Sequence, residues 1–142
     1  MTTAVLITPD LTAQRIHLPH APAEQRAVIH QRLGCAPDGP VDAAYYHPAN
    51  VFHLGGNSTG SAPLNTAAWA LACTWRRRTL NYPLCGPVLI TGAMEEGSTA
   101  YADLDPEQVM QAQQVTGAVR ELLARHPGGV PVADVLDAAR LS

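Results

Sequence analysis

The stretch that decides the fold is residues 63–92, PLNTAAWALACTWRRRTLNYPLCGPVLITG. Asn65 stands where a helix N-cap is expected, and Ala68, Leu71 and Trp75 follow it at helical spacing. A Gly-Pro pair then precedes residues 88–91, a continuous apolar run that is typical of a strand buried on both faces. The stretch therefore predicts an amphipathic helix, a tight connection and one interior strand.

Two hairpins are predicted ahead of this stretch, because short β-rich runs are separated by turn residues. Residues 4–8 and 14–18 flank a Pro-Asp turn, and residues 41–47 and 51–54 flank Pro-Ala-Asn. A short helix is predicted between the hairpins, over residues 23–33. The predicted fold class is α+β, with a mostly antiparallel sheet of about five strands covered by helices and followed by a C-terminal helical hairpin.

The C-terminal segment follows a capping pattern in which Asp105 precedes Pro106, so a long helix is predicted to begin there. The sequence HPGG ends it, and a final helix is predicted over residues 131–141. This segment looks like the first two helices of a winged-helix regulator without the helix that would read DNA. We therefore divide the chain into an α+β core, 1–104, and a helical hairpin, 105–142, packed on the core or in a dimer.

Composition excludes several chemistries. The chain has 142 residues and a net charge of -3, and all of its basic residues are arginine. Without lysine there is no Walker-type phosphate loop and no Schiff-base nucleophile, and the bias is typical of a GC-rich, actinobacterial-like genome. No apolar run approaches the ~20 residues of a membrane span, and no secretion signal is recognisable. We expect a cytoplasmic protein with no membrane contact and no cofactor.

The second predicted hairpin has two faces with different chemistry. If His47 faces Val51, Tyr46 and Phe52 share a core face. Tyr45, His47 and His53 then lie together on the opposite face. With Cys35 or Cys85 they could hold a metal, although solvated histidines are the commoner reading, and no zinc-type spacing supports a site. We predict no metal site.

Two regions flank the central helix and could bind a ligand. The loop at residues 55–61, GGNSTGS, leads into a helix N-terminus, a geometry that can cradle an anion or a nucleotide. At the other end of the helix, three consecutive arginines stand near Trp75 and could contact phosphates or bases; otherwise they are solvated or paired with Glu95 and Glu96. The predicted ligand-binding residues are Asn57, Ser58, Thr59, Asn65, Arg76, Arg77, Arg78 and Tyr82.

A hydrolase is a further alternative, with Ser58 or Cys85 as nucleophile and one of the histidines as base. The sequence has neither a GxSxG elbow nor a local cysteine-protease signature, and no convincing pair of acidic residues. We therefore assign no catalytic residue.

Several short pieces of the chain, TPDLTAQRIHLP, LGC, VFHLGGNSTGSAPLNTAAWALA and CGPVLITGA, resemble a bacterial and phage family called domain of unknown function 3846. The resemblance covers about residues 4–93. The chain departs from the family in lacking a glycine after Asp10 and in its longer central helix. The family implies a small protein from phages or other mobile elements and implies no activity.

Together these observations favour a small non-catalytic binding protein that acts on a host protein, with a homodimer also possible. A nucleic-acid or nucleotide-binding accessory protein and an uncharacterised hydrolase are the alternatives.

Overall fold

The computed structural model describes residues 1–55 and 62–140. These residues contain five strands and four helices in the order β1 (Thr2–Thr8), β2 (Thr12–Leu18), α1 (Pro22–Arg32), β3 (Val41–His47), β4 (Asn50–Gly55), α2 (Thr66–Arg76), β5 (Val88–Gly92), α3 (Pro106–Arg125) and α4 (Val132–Ala139). The α+β prediction is confirmed.

The strands form one sheet in the spatial order β2-β1-β5-β4-β3, and each of its four described pairings is antiparallel. Both predicted hairpins form, and β5 lies between them as the central strand. All five residues of β5 are buried, which explains why its sequence is apolar without alternation. The predicted interior strand is confirmed.

Helix α2 packs closely because its buried residues are mostly small, including Ala67, Ala68 and Ala72. It ends at Arg76, two residues before the end of the arginine run. Arg77 is the C-cap in a left-handed conformation, with φ of 61°, so Arg78 lies beyond the helix. Of the three arginines that the sequence places at this end of the helix, only Arg76 is helical.

Each face of the sheet is covered by a separate apolar cluster. On one face, α2, α3 and α4 pack on side chains that include Ile7, Phe52 and Ile90. On the other face, Ile29 and Leu33 at the end of α1 pack on the remaining strand residues. Helices therefore cover both faces, and β5 is sealed on each side.

The second hairpin contains a β-bulge that changes the predicted register. His47 pairs with Asn50, Ala44 pairs with Phe52, and the register shifts between these two pairs, at Tyr45 and Tyr46. Tyr46 nevertheless lies in the core against Phe52, as predicted, with ring centroids 5.0 Å apart. Tyr46 and His47 are adjacent in sequence, yet both lie on the helical side of the sheet.

Helices α3 and α4 pack against each other and against α2, and α3 also contacts β1 and β2. Their buried residues, such as Val115 and Val135, belong to the same apolar cluster as the sheet. Asp105 caps α3 by accepting a 2.8 Å hydrogen bond from the Glu107 amide, as its position predicts. The division of the chain at residue 104 stays a prediction. Within the described residues, no helix has both the length and the apolarity needed to cross a membrane.

Candidate functional site

Three of the predicted ligand-binding residues, Asn57, Ser58 and Thr59, lie outside the described residues. The others occupy four different environments, so they do not form one site. Asn65, which is buried, and Tyr82 line one apolar groove, Arg76 and Arg77 line two separate depressions, and Arg78 is exposed.

Asn65 has a structural role. Its side-chain oxygen accepts a 3.1 Å hydrogen bond from the Ala68 amide, which caps α2. Its side-chain nitrogen donates to the carbonyl oxygens of Ile7 and Gly86, each at 2.9 Å. These three hydrogen bonds connect the start of α2 to β1 and to the turn before β5. The Asn65 amide group is therefore used within the protein rather than for ligand binding.

The three arginines diverge because the helix ends among them. The Arg76 guanidinium donates to the Tyr45 carbonyl oxygen at 2.9 Å, whereas Arg77 faces the opposite depression beside Trp75. The predicted pairing with Glu95 or Glu96 is absent among the described ion pairs, where Glu95 instead lies 3.9 Å from His20. The three arginines therefore do not form one continuous basic surface at this end of the helix.

Tyr82 joins the buried core to the surface. Its hydroxyl lies 2.9 Å from the Tyr46 hydroxyl, while 44% of the Tyr82 residue stays exposed. Burial raises the pKa of Tyr46, and the hydrogen bond with Tyr82 adds to the increase. The Tyr46 phenol is therefore held as a neutral hydrogen-bonding group.

A largely apolar groove of about 510 Å³ lies between the start of α2, the segment 79–84 and α4. We call this the apolar groove and define it by residues Leu64, Trp69, Tyr82, Leu123, Val130 and Val132. Leu64 is 61% exposed and Val132 is 53% exposed, so large apolar side chains stand at its mouth. Burying one large apolar side chain contributes roughly 1.5–3 kcal/mol of favourable free energy. A partner that covers Leu64 and Val132 would gain this contribution in binding.

A second, polar depression of about 660 Å³ lies on the other side of α2, beside Trp75. Its His47 Nδ1 accepts from the Ala49 amide at 3.0 Å and lies 3.3 Å from the Gln108 side-chain nitrogen. The Gln108 oxygen is buried without a hydrogen-bond partner in the described residues. Arg77, Glu107 and the neighbouring Asp105 and Arg140 bring both signs of charge to its rim.

The structure separates the residues considered for a metal. His47 packs against Trp75 on the helical side, 6.1 Å between ring centroids, whereas His53 packs against Tyr101 on the α1 side. Tyr45, His47 and His53 therefore do not share a face, which corrects the prediction, because the bulge rotates His47 across the sheet. Within the part of the chain that the structure describes, no three His, Cys, Asp or Glu residues are placed to hold a metal ion.

The apolar groove was missed because its residues come from four separate segments. Leu64 precedes α2 and is exposed, although its spacing from Ala68 fits the apolar stripe of the helix. Val132 belongs to the apolar pattern of α4, and its exposure, like that of Leu64, cannot be recognised in the sequence.

Comparisons with protein-family models, with curated proteins and with solved structures found no match to this chain.

Proposed function

We propose that this chain is a non-catalytic binding protein whose apolar groove receives an amphipathic helix of a partner protein. The observation that carries the proposal is the exposure of Leu64, Tyr82 and Val132 around one apolar concavity. Apolar side chains spaced along one face of a helix commonly fill grooves of this type. The groove mouth also offers the Tyr82 hydroxyl, which suits a partner with an apolar stripe and polar edges.

The partner is proposed to be a host protein, and the chain to come from a phage or other mobile element, in line with the family resemblance of residues 4–93. We place the protein in the cytoplasm. The free thiols of Cys35, Cys73 and Cys85 support this, because a reducing compartment keeps cysteines unpaired. A homodimer through the groove is the competing arrangement.

The test uses a photo-crosslinking amino acid at Val132 and, as a matched control, at Met110. Both residues are on helices and about half exposed, at 53% and 52%, and Met110 does not line the groove. Each protein is irradiated in a bacterial host lysate, and crosslinked peptides are sequenced. The proposal requires position 132 to capture one peptide with helical apolar spacing and position 110 not to capture it.

A synthetic copy of the captured peptide is then titrated against the purified chain and its variants. Val132→Gln is expected to weaken binding about tenfold, which corresponds to ~1.4 kcal/mol, while Met110→Gln leaves it unchanged. Crosslinking of position 132 only to a second copy of this chain supports the homodimer and overturns the proposal. Equal loss of affinity in both variants also overturns it.

The second candidate is a nucleotide or nucleic-acid accessory function in the polar depression. The supporting observation is that Trp75 and Arg77 line it together, an aromatic ring beside a cation. Arg77→Asn is the suitable variant because Asn tolerates the left-handed conformation at this position. In a low-salt gel shift with single-stranded DNA, this function requires retention that Arg77→Asn reduces and the exposed control Arg125→Gln does not.

A further inference from the structure

His53 is the most deeply buried ionisable side chain on the α1 side of the sheet. It lies on β4 opposite Leu89 of β5, and 2% of the residue is exposed. The Tyr101 ring packs against it edge-on, with ring centroids 4.5 Å apart. This position is on the opposite face of the sheet from the apolar groove, so the two sites are independent.

Hydrogen bonding fixes which nitrogen of His53 carries the proton. Thr91 has one hydroxyl hydrogen, and it donates this hydrogen to the Gly92 carbonyl oxygen at 2.8 Å. The Thr91 oxygen therefore accepts from His53 Nε2, which lies 2.9 Å away. The Nε2 atom carries the hydrogen, and Nδ1 is left as a lone-pair acceptor.

Burial keeps this imidazole neutral. It lowers the pKa of His53 to about 4, so the ring is uncharged at neutral pH. No described residue donates a hydrogen bond to Nδ1. This nitrogen is therefore free to accept a hydrogen bond from a bound molecule.

The side chain lines a cavity of about 480 Å³ between α1, β3 and residues 94–101, within the roughly 300–1,000 Å³ range of small-molecule sites. Apolar side chains, Ile29, Val41 and Met94, form much of the wall. Arg26 is exposed and lines the same cavity, so it supplies a cation near solvent.

The other histidine of the cavity is already engaged. The two ring nitrogens of His30 lie 2.8 Å from the Arg26 carbonyl oxygen and 3.1 Å from the Gly39 carbonyl oxygen. His30 therefore links α1 to the loop that precedes β3. Burial raises the pKa of Tyr101, so its hydroxyl stays a neutral hydrogen-bonding group at the cavity wall.

We propose that this cavity binds a small ring-containing carboxylate that carries a hydroxyl group. The hydroxyl donates to His53 Nδ1 at the buried end, the ring packs on the apolar wall, and the carboxylate pairs with the Arg26 guanidinium. Because Nδ1 only accepts, a ligand whose polar group also only accepts leaves two acceptors facing each other. Sites built on a hydrogen bond of this kind reject analogues that cannot make it.

The proposal is tested with the purified full chain and two matched probes, 4-hydroxybenzoate and 4-methoxybenzoate. They differ in that the methyl ether has no hydrogen to donate. Long-range proton–nitrogen NMR spectra report the state of each His53 nitrogen while each probe is added. We expect the free protein to show a protonated Nε2 and a bare Nδ1, and 4-hydroxybenzoate to shift the Nδ1 resonance. The methyl ether is expected to bind at least about tenfold more weakly.

The carboxylate contact is tested with Arg26→Gln, which changes an exposed residue and leaves the fold intact. Arg32→Gln, also exposed on α1 and outside the cavity, is the control. Arg26→Gln is expected to weaken 4-hydroxybenzoate about tenfold or more and to leave 4-hydroxybenzyl alcohol unaffected. Equal affinity for the two benzoates, no Nδ1 shift at millimolar 4-hydroxybenzoate, or a protonated Nδ1 in the free protein overturns the proposal.

Discussion

The hydroxyl oxygens of Tyr46 and Tyr82 lie 2.9 Å apart, and this hydrogen bond fastens the wall of the apolar groove to the core of the sheet. Tyr46 is on the bulged strand β3, and Tyr82 is in the segment between α2 and β5. The groove is thus anchored by the same side chain that packs edge-on against Phe52.

We expect Tyr82→Phe to lower the free energy of unfolding by about 1–2 kcal/mol, because the buried Tyr46 hydroxyl loses its partner. Tyr45→Phe, at an exposed position of the same bulge, is expected to change it by less than about 0.5 kcal/mol. Urea denaturation of both variants makes the comparison. An equal effect in the two variants would mean that the Tyr46–Tyr82 bond contributes nothing.

Stability is expected to fall as the pH is lowered through the range in which His53 titrates. The unfolded chain binds a proton at this residue near pH 6.5, whereas the folded chain does so only near pH 4. The contribution of neutral His53 to the free energy of unfolding is therefore fully present above about pH 6.5. It is lost as the pH falls from there to pH 4, which lowers the free energy of unfolding by roughly 3 kcal/mol. Urea titrations across this window measure how steeply the free energy of unfolding changes with pH. His53→Gln is expected to make this pH dependence shallower. An unchanged slope in that variant contradicts the assignment.

Asn65 offers a test of how the start of α2 is held. Asn65→Ala removes the cap and two buried hydrogen bonds, so a loss of about 2–4 kcal/mol is expected. Asn65→Asp keeps the capping oxygen but places a carboxylate against the carbonyl oxygens of Ile7 and Gly86. We therefore expect Asp to be at least as damaging as Ala at neutral pH, as measured by thermal unfolding. A cap-only role for Asn65 predicts the reverse order, with Asp close to wild type.

Gly92 is expected to be intolerant of any side chain. An added Cβ would overlap the Asp103 carbonyl oxygen and crowd that of Ala102, because the chain after β5 returns directly over the glycine. Gly92→Ala should cost more than about 3 kcal/mol, since backbone on both sides must shift. Gly128→Ala, where nothing lies within 4 Å of the added carbon, is the control and should be close to neutral. Comparable melting temperatures for the two variants would contradict this packing.

The parts of the fold that sequence predicts are those decided by local interactions. The capping role of Asn65 and the strand at residues 88–92 follow from residue type and spacing within a few positions. The bulge at Tyr45 and Tyr46 does not, because both tyrosines fit a regular strand equally well and tertiary packing decides which side each takes. The arginine run shows the same limit, since only the backbone conformation of Arg77 ends the helix among three identical residues.

The candidate sites were harder to predict, since each depends on which surfaces the helices cover. The alternation of side chains along a strand correctly places His53 on the sheet face opposite Tyr46. The sequence does not show that α1 and Tyr101 bury this histidine. Leu64 and Val132 are distant in the chain and become neighbours of one groove only through the packing of α4.

The central position of β5 has a consequence for how the chain folds. Both hairpins are complete by residue 55, yet β1 and β4 have no partner between them until residues 88–92 insert. A chain that is still being synthesised, or is cut before that point, presents two open strand edges of apolar sequence, which are templates for aggregation. Completion of the sheet is thus a late, long-range event, and substitutions that weaken β5 will lower the yield of folded protein in the cell before they change any binding surface.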